Sequence, residues 1–495
     1  MATNNLTLSP SACYQALSAR DARFDGLFFI GVRSTGIYCR PVCKARTPMQ
    51  RNCQFFTHPA QAEGAGFRPC LRCRPELAPG PALRWSNQDA SHMLAHQALA
   101  WMDERAPNQG AWQVSTLAER MGVSARHLRR ILHTHLGVTP SQYRQTQRLL
   151  RAKQLLCDSQ LPMGQVASLS GFSSTRQFNR AFALHYQLKP TQCRKHTASP
   201  SPARIRLSYR PPFDHAAMMH FWRQRAVPGL EWCEANTPGG ESFARVVTLA
   251  VPGGICHGWV SLQFDPTVHQ VVVDISDDFW PHLPLCLMRL RWALDLDADP
   301  LALEAVLQAD FPNGCGVRVP GAWNGFELAV RAVLGQQVSV AAARTYAQRL
   351  VHTLGTPVAT PWPGLTHAFP TPAQLLHASP DQLGALGIVK QRQKALHALA
   401  QAVCHGGLDL NPGGQVAERV AALMALPGIG AWTAQYIAMR ALRWPDAFPD
   451  GDLVLQQRLG VRDAPHPARA ASALAQRWQP WRSYAVLRLW HHKET

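Results

Sequence analysis

Between Arg204 and about Asp297 apolar and polar side chains alternate in several runs, among them Ala244 to Val251 and Gln270 to Ile275. A period of two predicts a small antiparallel sheet. On either side the spacing turns helical. From about Leu83 to His196 two similar units recur: Leu117 to Ser124 leads into Arg126, Leu128, Arg129, Arg130 and Leu132, and Val166 to Ser173 leads into Arg176, Phe178, Asn179, Arg180 and Phe182. The units lie 49 residues apart, and each sets a glycine, Gly122 or Gly171, between an apolar-faced helix and a basic one. That is the pattern of paired helix-turn-helix units, although a helical bundle with solvated arginine faces fits it too. Leu301 to Trp490 again reads as mostly helical, with Ala322 to Glu327 opening that core, and Ser199-Pro200-Ser201-Pro202 is the clearest linker. The shifts divide the chain into residues 1–80, 83–197, 203–300 and 301–495. The expected fold is multidomain and mainly α, with a small α/β domain at the start and an α+β domain in the middle.

Composition narrows the class. At 495 residues the chain exceeds what one core supports, and 46% apolar with 16% charged residues describes globular domains rather than disorder. A formal charge of +19 points to a polyanion, nucleic acid before membrane. The first ten residues lack a basic segment followed by an apolar core, and nothing later offers 18 uninterrupted apolar residues, so a soluble cytoplasmic protein is expected.

Two stretches carry chemistry. Cys39 and Cys43 are separated by three residues, Cys70 and Cys73 by two, and the pairs by 26. Two close pairs across a loop can converge as four thiolates on a tetrahedral Zn2+. Cys13 and Cys53 lack a paired spacing and read as structural. The second stretch is Leu426-Pro427-Gly428-Ile429-Gly430, between two amphipathic runs, where paired glycines allow a tight hairpin whose backbone N–H groups face a phosphate. A helical run follows, with apolar positions at Trp432, Tyr436, Ile437 and Met439, and Asp452 stands 22 positions after Gly430. Either piece alone also fits a surface loop or a helix N-cap aspartate.

Together these stretches resemble known families. Leu426 to Gly430 with Asp452, Leu334-Gly335-Gln336-Gln337-Val338-Ser339-Val340 and Pro480-Trp481-Arg482-Ser483-Tyr484-Ala485 are similar to the helix-hairpin-helix DNA glycosylases, in particular the 3-methyladenine glycosylase II branch. The resemblance spans Ile205 to Trp490. It implies an α+β, TATA-binding-protein-like domain before an all-α core, with Gly428 and Gly430 on the DNA backbone and Asp452 as catalytic carboxylate. Asp450 is set aside because the family aspartate directly precedes the apolar start of the next helix. Trp432, Tyr436 and Trp490 match family pocket positions, and stacking on a cationic base contributes on the order of 1 to 2 kcal/mol per desolvated contact. Gln337 stands where some relatives place a leucine that fills the gap left by the flipped base; its role as that wedge stays open. Trp432 occupies the position of the Schiff-base lysine, so hydrolysis without strand cleavage is expected. With no cysteine after Cys404, no iron-sulfur cluster is expected.

Arg33 to Pro41 and Gly66 to Cys70 resemble the N-terminal domain of the Ada alkylation-response proteins. This implies Cys39 as acceptor of methyl groups from DNA methylphosphotriesters, with Cys43, Cys70 and Cys73 completing the zinc site. The helix-turn-helix units resemble the AraC-type DNA-binding domain, with Arg126, Arg129, Arg130, Arg176 and Arg180 facing DNA. Ada proteins often continue with a Pro-Cys-His-Arg nucleophile motif; it is absent here, so O6-alkylguanine repair is not expected. The expected whole is an alkylation-repair protein and activator. Its partners would be duplex and promoter DNA and RNA polymerase, a monovalent cation would sit at the hairpin, and the protein would be monomeric. The alternative is a damage-sensing regulator whose glycosylase half only binds DNA.

Overall fold

A computed structural model describes residues 8–80, 94–95, 98–99, 102, 113–195, 204–237, 240–251, 253–413 and 415–491. The linker at Ser199 to Pro202 and most of residues 83–112 lie outside the described residues.

The first domain is a four-stranded sheet ordered β3-β1-β2-β4, built from β1 (Phe29–Val32), β2 (Ile37–Cys39), β3 (Cys53–Phe56) and β4 (Arg68–Pro69). Helices α1 (Pro10–Ala19) and α2 (Pro59–Gly64) accompany it. Antiparallel pairing of β1 with β2 and β3, and parallel pairing of β2 with β4, bring the ends of β2 and β4 side by side. Cys39 ends β2 and Cys70 directly follows β4, with Cys43 and Cys73 just beyond.

Next come α3 (Val114–Arg120), α4 (Ala125–Leu136), α5 (Pro140–Asp158), α6 (Met163–Leu169), α7 (Thr175–Tyr186) and α8 (Pro190–Lys195). Gly122 (φ 67°) and Gly171 (φ 83°) turn the chain in the left-handed region where other residues are strained. Ser124 and Ser174 cap α4 and α7, accepting from the amides of His127 and Gln177. Leu128, Leu132, Phe178 and Phe182 are buried, while Arg126, Arg129, Arg130, Arg176 and Arg180 are exposed.

The alternating stretch forms a five-stranded antiparallel sheet, ordered β5-β9-β8-β7-β6, from β5 (Ile205–Ser208), β6 (Glu231–Thr237), β7 (Gly240–Val251), β8 (Gly254–Asp265) and β9 (Gln270–Ile275). The strict alternation of β9, with Val271, Val273 and Ile275 buried, is what its sequence pattern predicts. Helices α9 (His215–Arg225) and α10 (Leu283–Ala293) complete this layer.

The remainder is helical: α11 (Pro300–Leu307), α12 (Gly325–Leu334), α13 (Val340–Leu354), α14 (Pro372–His377), α15 (Pro380–Ala385), α16 (Lys390–Cys404), α17 (Val416–Met424), α18 (Ala431–Arg440), α19 (Leu453–Arg458), α20 (Pro467–Ala475) and α21 (Arg482–His491). Its apolar interior falls into two clusters. One gathers α12 to α18; the other joins α19 to α21 with the five-stranded sheet and with α5 to α7. A largely buried charge network crosses between sheet and helices. Arg245, 1% exposed, pairs with Glu231 at 2.9 Å and Glu327 at 2.6 Å, and Arg331 pairs with both acids. No helix among the described residues is long and apolar enough to cross a membrane.

Candidate active sites and DNA interface

Asp452 is the N-cap of α19, its Oδ1 accepting from the Leu455 amide at 3.0 Å. Two indoles complete its surroundings. Trp432 Nε1 donates to Oδ2 at 2.9 Å and Trp490 Nε1 to Oδ1 at 3.3 Å. All three donors end on the carboxylate oxygens, and the residue is half-buried, so it is both oriented and reachable. One turn along α18 from Trp432, Tyr436 stacks on it with centroids 5.3 Å apart and planes 8° apart, and Trp490 lies 6.3 Å from Tyr436. Tyr436 packs against both apolar clusters, so this aromatic wall stands at the seam between the two helical lobes, a usual place for a binding cleft. Burial works to raise its phenol, but the charges of Arg440 and Arg225 and the hydrogen bond from Arg440 outweigh it and hold the phenol below its ordinary value.

Asp450 faces elsewhere. Its carboxylate accepts from Ser472 Oγ at 2.8 Å, and its carbonyl accepts from Gln456 Nε2. Between α18 and α19 the chain is held by the segment Pro480 to Ala485. Arg482 makes two 2.7 Å hydrogen bonds to buried Asp446, and Ser483 Oγ donates to the carbonyls of Trp444 and Ala447. Sequence reading picked out this segment only as a family motif. The structure gives it a physical task, fixing the loop that delivers Asp452.

The hairpin joins α17 to α18. Gly428 needs to be glycine, with φ 78° and an added Cβ 3.0 Å from the Cβ of Ala395. Gly430 does not: its φ is −87° and an added Cβ would meet nothing within 4 Å. A glycine that the fold does not require leaves the first amides of α18 open to close approach by a ligand. Gln336 Nε2 donates to Gly428 O at 2.9 Å and Thr433 Oγ1 at 3.0 Å, and Arg392 donates to Gln336 O. These contacts pin the loop whose exposed tip is Gln337, in the left-handed region at φ 53°, beside the hairpin. Val340, Val389, Met424, Leu453 and Val454 are exposed at the ends of α13, α16, α17 and α19. Only Gln337 and the glycines of this surface were legible from the chain. Exposed apolar residues scattered over the sequence carry no signal until folding groups them.

Near the start of the chain the sulfurs of Cys39, Cys43, Cys70 and Cys73 lie within 4.8 Å of one another. Four thiolates around one Zn2+, at about 2.3 Å each, stand about 3.8 Å apart, so the cluster fits the ion with slight contraction. In the metal-free thiols, hydrogen bonding to Cys43 and Cys70 pushes Cys39 up, while a hydrogen bond from Cys39 lowers Cys43 to about 7 and others draw Cys70 down. Shared protons of this kind are what a dication displaces. Cys39 is half-buried. Cys13 lies in an apolar cluster, its thiol pushed up to about 11 by burial, and Cys53 bonds the Met49 carbonyl; neither joins the metal set.

Comparison with known proteins fits this arrangement. Residues 12–76 match the metal binding domain of Ada, 117–196 a helix-turn-helix domain, 204–324 the AlkA N-terminal domain and 330–480 the HhH-GPD superfamily of base excision DNA repair proteins. A probable bifunctional transcriptional activator/DNA repair enzyme AlkA of Mycobacterium tuberculosis is 39% identical over 492 residues, covering 97% of this chain and 95% of that protein. The chain belongs to the AlkA-type bifunctional activator and DNA repair enzymes. DNA-3-methyladenine glycosylase 2 of Escherichia coli is 35% identical over 58% of this chain and 96% of its own length. The bifunctional transcriptional activator/DNA repair enzyme Ada of the same species is 31% identical over 34% of this chain and 44% of its own length. This AlkA-type bifunctional enzyme thus joins a zinc centre and a DNA-binding helix-turn-helix pair to a DNA glycosylase.

Proposed function

We propose that the glycosylase hydrolyses the bond between sugar and alkylated purine, of the 3-methyladenine and 7-methylguanine type, with Asp452 as catalytic carboxylate. The observation that supports this reading is the half-buried carboxylate held by two indole N–H groups at one end of an aromatic wall. As the C1′–N bond breaks, the bonding pair leaves with the purine and cancels its positive charge. Positive charge develops on the sugar, which the Asp452 anion opposes. Water then forms the new bond to C1′, and its proton passes to Asp452. A base already cationic needs no strong general acid, and in such a base the electron-poor face favours the rings of Trp432, Tyr436 and Trp490. The amides after Gly430 hold a phosphate, with a monovalent cation at the hairpin carbonyls, while Gln337 enters the gap left by the flipped base. Trp432 cannot form a Schiff base, so the strand stays uncut.

In the zinc domain, Cys39, Cys43, Cys70 and Cys73 would hold Zn2+, which would supply the positive charge that keeps the Cys39 thiolate deprotonated at neutral pH. Cys39 Sγ then attacks the methyl carbon of a methylphosphotriester; the S–C bond forms, the C–O bond breaks, and the phosphodiester leaves as an anion. Methylation removes one negative charge beside DNA phosphates, and Arg126, Arg129, Arg130, Arg176 and Arg180 read promoter DNA for transcriptional activation through RNA polymerase. The monomer carries both activities. Incubating the purified protein with methylated duplex DNA tests the first reading by release of free 3-methyladenine, and mass spectrometry of the Cys39 peptide tests the second. Absence of free base with intact DNA binding leaves the glycosylase half as a binding module only.

A further inference from the structure

The zinc domain meets its neighbours through charged side chains that are largely or fully buried. Arg210, just past β5, is 0% exposed. Its Nε donates to Asp25 O at 2.8 Å, Nη1 to Asp297 O at 2.9 Å and Ala298 O at 3.2 Å, and Nη2 to Gly80 O. One guanidinium from the repair half therefore gathers carbonyls from near both ends of the described zinc domain and from the loop after α10. The Gly80 amide answers with a 2.6 Å bond to Asp297, itself paired with Arg291. A second bridge starts at the metal site. Arg40, 5% exposed, pairs with Asp25, donates to Cys73 O at 3.1 Å and reaches Ser208 Oγ on β5 at 3.2 Å.

The zinc domain is held in the same manner by α5. Lys153, 0% exposed, donates to Cys70 O at 3.2 Å and pairs with Glu76; Arg74 pairs with Asp158, and Thr146 Oγ1 donates to Glu63 at 2.6 Å. Exposed charges between independent domains keep their water and tolerate sliding. Fully buried ones do not, because any displacement strands a desolvated cation or a row of carbonyls. Geometry is thereby fixed by directional bonds, and two of these cations, Arg40 and Lys153, each end on the carbonyl of a cysteine of the metal set.

We propose that the zinc domain is an intramolecular keystone: the Arg210 and Arg40 bridges to the β5 side and the Lys153 bridge to α5 lock the helix-turn-helix pair, the zinc centre and the glycosylase into one body. The interaction surface is the side of the zinc domain around Asp25 and Gly80, and its partner is β5 and the loop after α10 of the same chain. The inference rests on the zinc centre itself and is independent of the roles proposed for Cys39 and Asp452.

The test uses the full-length, zinc-loaded chain with a protease recognition sequence replacing Ser199 to Pro202. After cleavage the two pieces are expected to co-elute on size exclusion at micromolar concentration. Arg210→Met and, in a second variant, Asp25→Asn are expected to separate them, with zinc content and base release confirming that both pieces are folded. Because the lattice ends on Cys70 and Cys73, zinc transfer from the uncleaved chain to a chromogenic chelator should be at least about fivefold faster in Arg210→Met, by reciprocity between docking and metal retention. Separation of the unmutated pieces, or co-elution of both folded variants, overturns the keystone. Equal zinc transfer rates overturn its link to the metal centre.

Discussion

Replacing Asp452 by Asn is expected to stop excision while leaving the fold and DNA affinity intact. Asn caps a helix as well as Asp does, so the bond from the Leu455 amide persists. The Oδ2 position becomes an NH2 group facing the Trp432 N–H, two donors in place of a 2.9 Å hydrogen bond. The larger loss is charge. An anion about 4 Å from a developing sugar cation, at an effective dielectric near 20, contributes about 4 kcal/mol; solvent at a half-buried carboxylate trims this to about 3 kcal/mol, roughly a hundredfold in rate. Single-turnover release of methylated purine from alkylated duplex reads the chemical step, and fluorescence anisotropy on an uncleavable damaged duplex reads binding. Asp450→Asn serves as the neighbour control and should stay near wild type, because Asp450 bonds Ser472 away from the aromatic wall. Excision by Asp452→Asn within about fivefold of wild type, or inactivation by Asp450→Asn instead, refutes the reasoning.

Gly430→Ala should fold normally but bind duplex DNA at least about fivefold more weakly, whereas Gly428→Ala should lower stability by about 1 to 2 kcal/mol through strain at φ 78°; thermal melts and anisotropy on both variants separate the effects. Arg482→Ala strands the Asp446 carboxylate, 3% exposed, and should cost about 3 to 5 kcal/mol by denaturant titration together with most excision activity. His58 is 7% exposed, its Nδ1 accepts from the Ala60 amide, and burial lowers its pKa from 6.5 to about 4. The neutral ring is thus the folded form, and stability complete above pH 6.5 falls as pH drops through that value toward 4, by up to about 3 kcal/mol. His58→Asn should flatten this dependence between pH 6.5 and 5 in parallel melts with wild type. Borohydride should trap no covalent complex of the wild type with a damaged duplex; a trapped band on a denaturing gel contradicts hydrolysis by water alone.

Local rules made the cysteine pairs, the Gly122 and Gly171 turns and the hairpin glycines visible in the chain, because spacing of a few residues decides each of them. Asp452 was visible for a related reason: the helix after the hairpin ties it at fixed reach from Gly430. What holds these pieces together was not. Arg210 and Asp25 are 185 positions apart, Arg245 and Glu327 are 82 apart, and Arg482 and Asp446 are 36 apart. In a linear reading a lone Arg or Glu belongs to a solvated face, since burying it needs partners that only the fold supplies. Trp432 illustrates the same limit at one residue. Its ring was expected to contact the lesion, but nothing in its spacing shows that its N–H reaches Asp452.

With Trp432 as the proposed pocket wall and Asp452 as the proposed carboxylate, that hydrogen bond would tie substrate range to turnover. A smaller residue at 432 would widen the cleft for bulkier adducts and, in the same stroke, release one oxygen of the carboxylate to rotate. Breadth and speed cannot then be tuned separately at this position, and selection for new lesions would meet a penalty in rate at its first step. Tyr436 does not share that constraint, because its hydroxyl is held by Arg440 rather than by Asp452. Diversification of the lesion spectrum within this lineage should therefore accumulate at 436 and its neighbours while 432 stays a tryptophan.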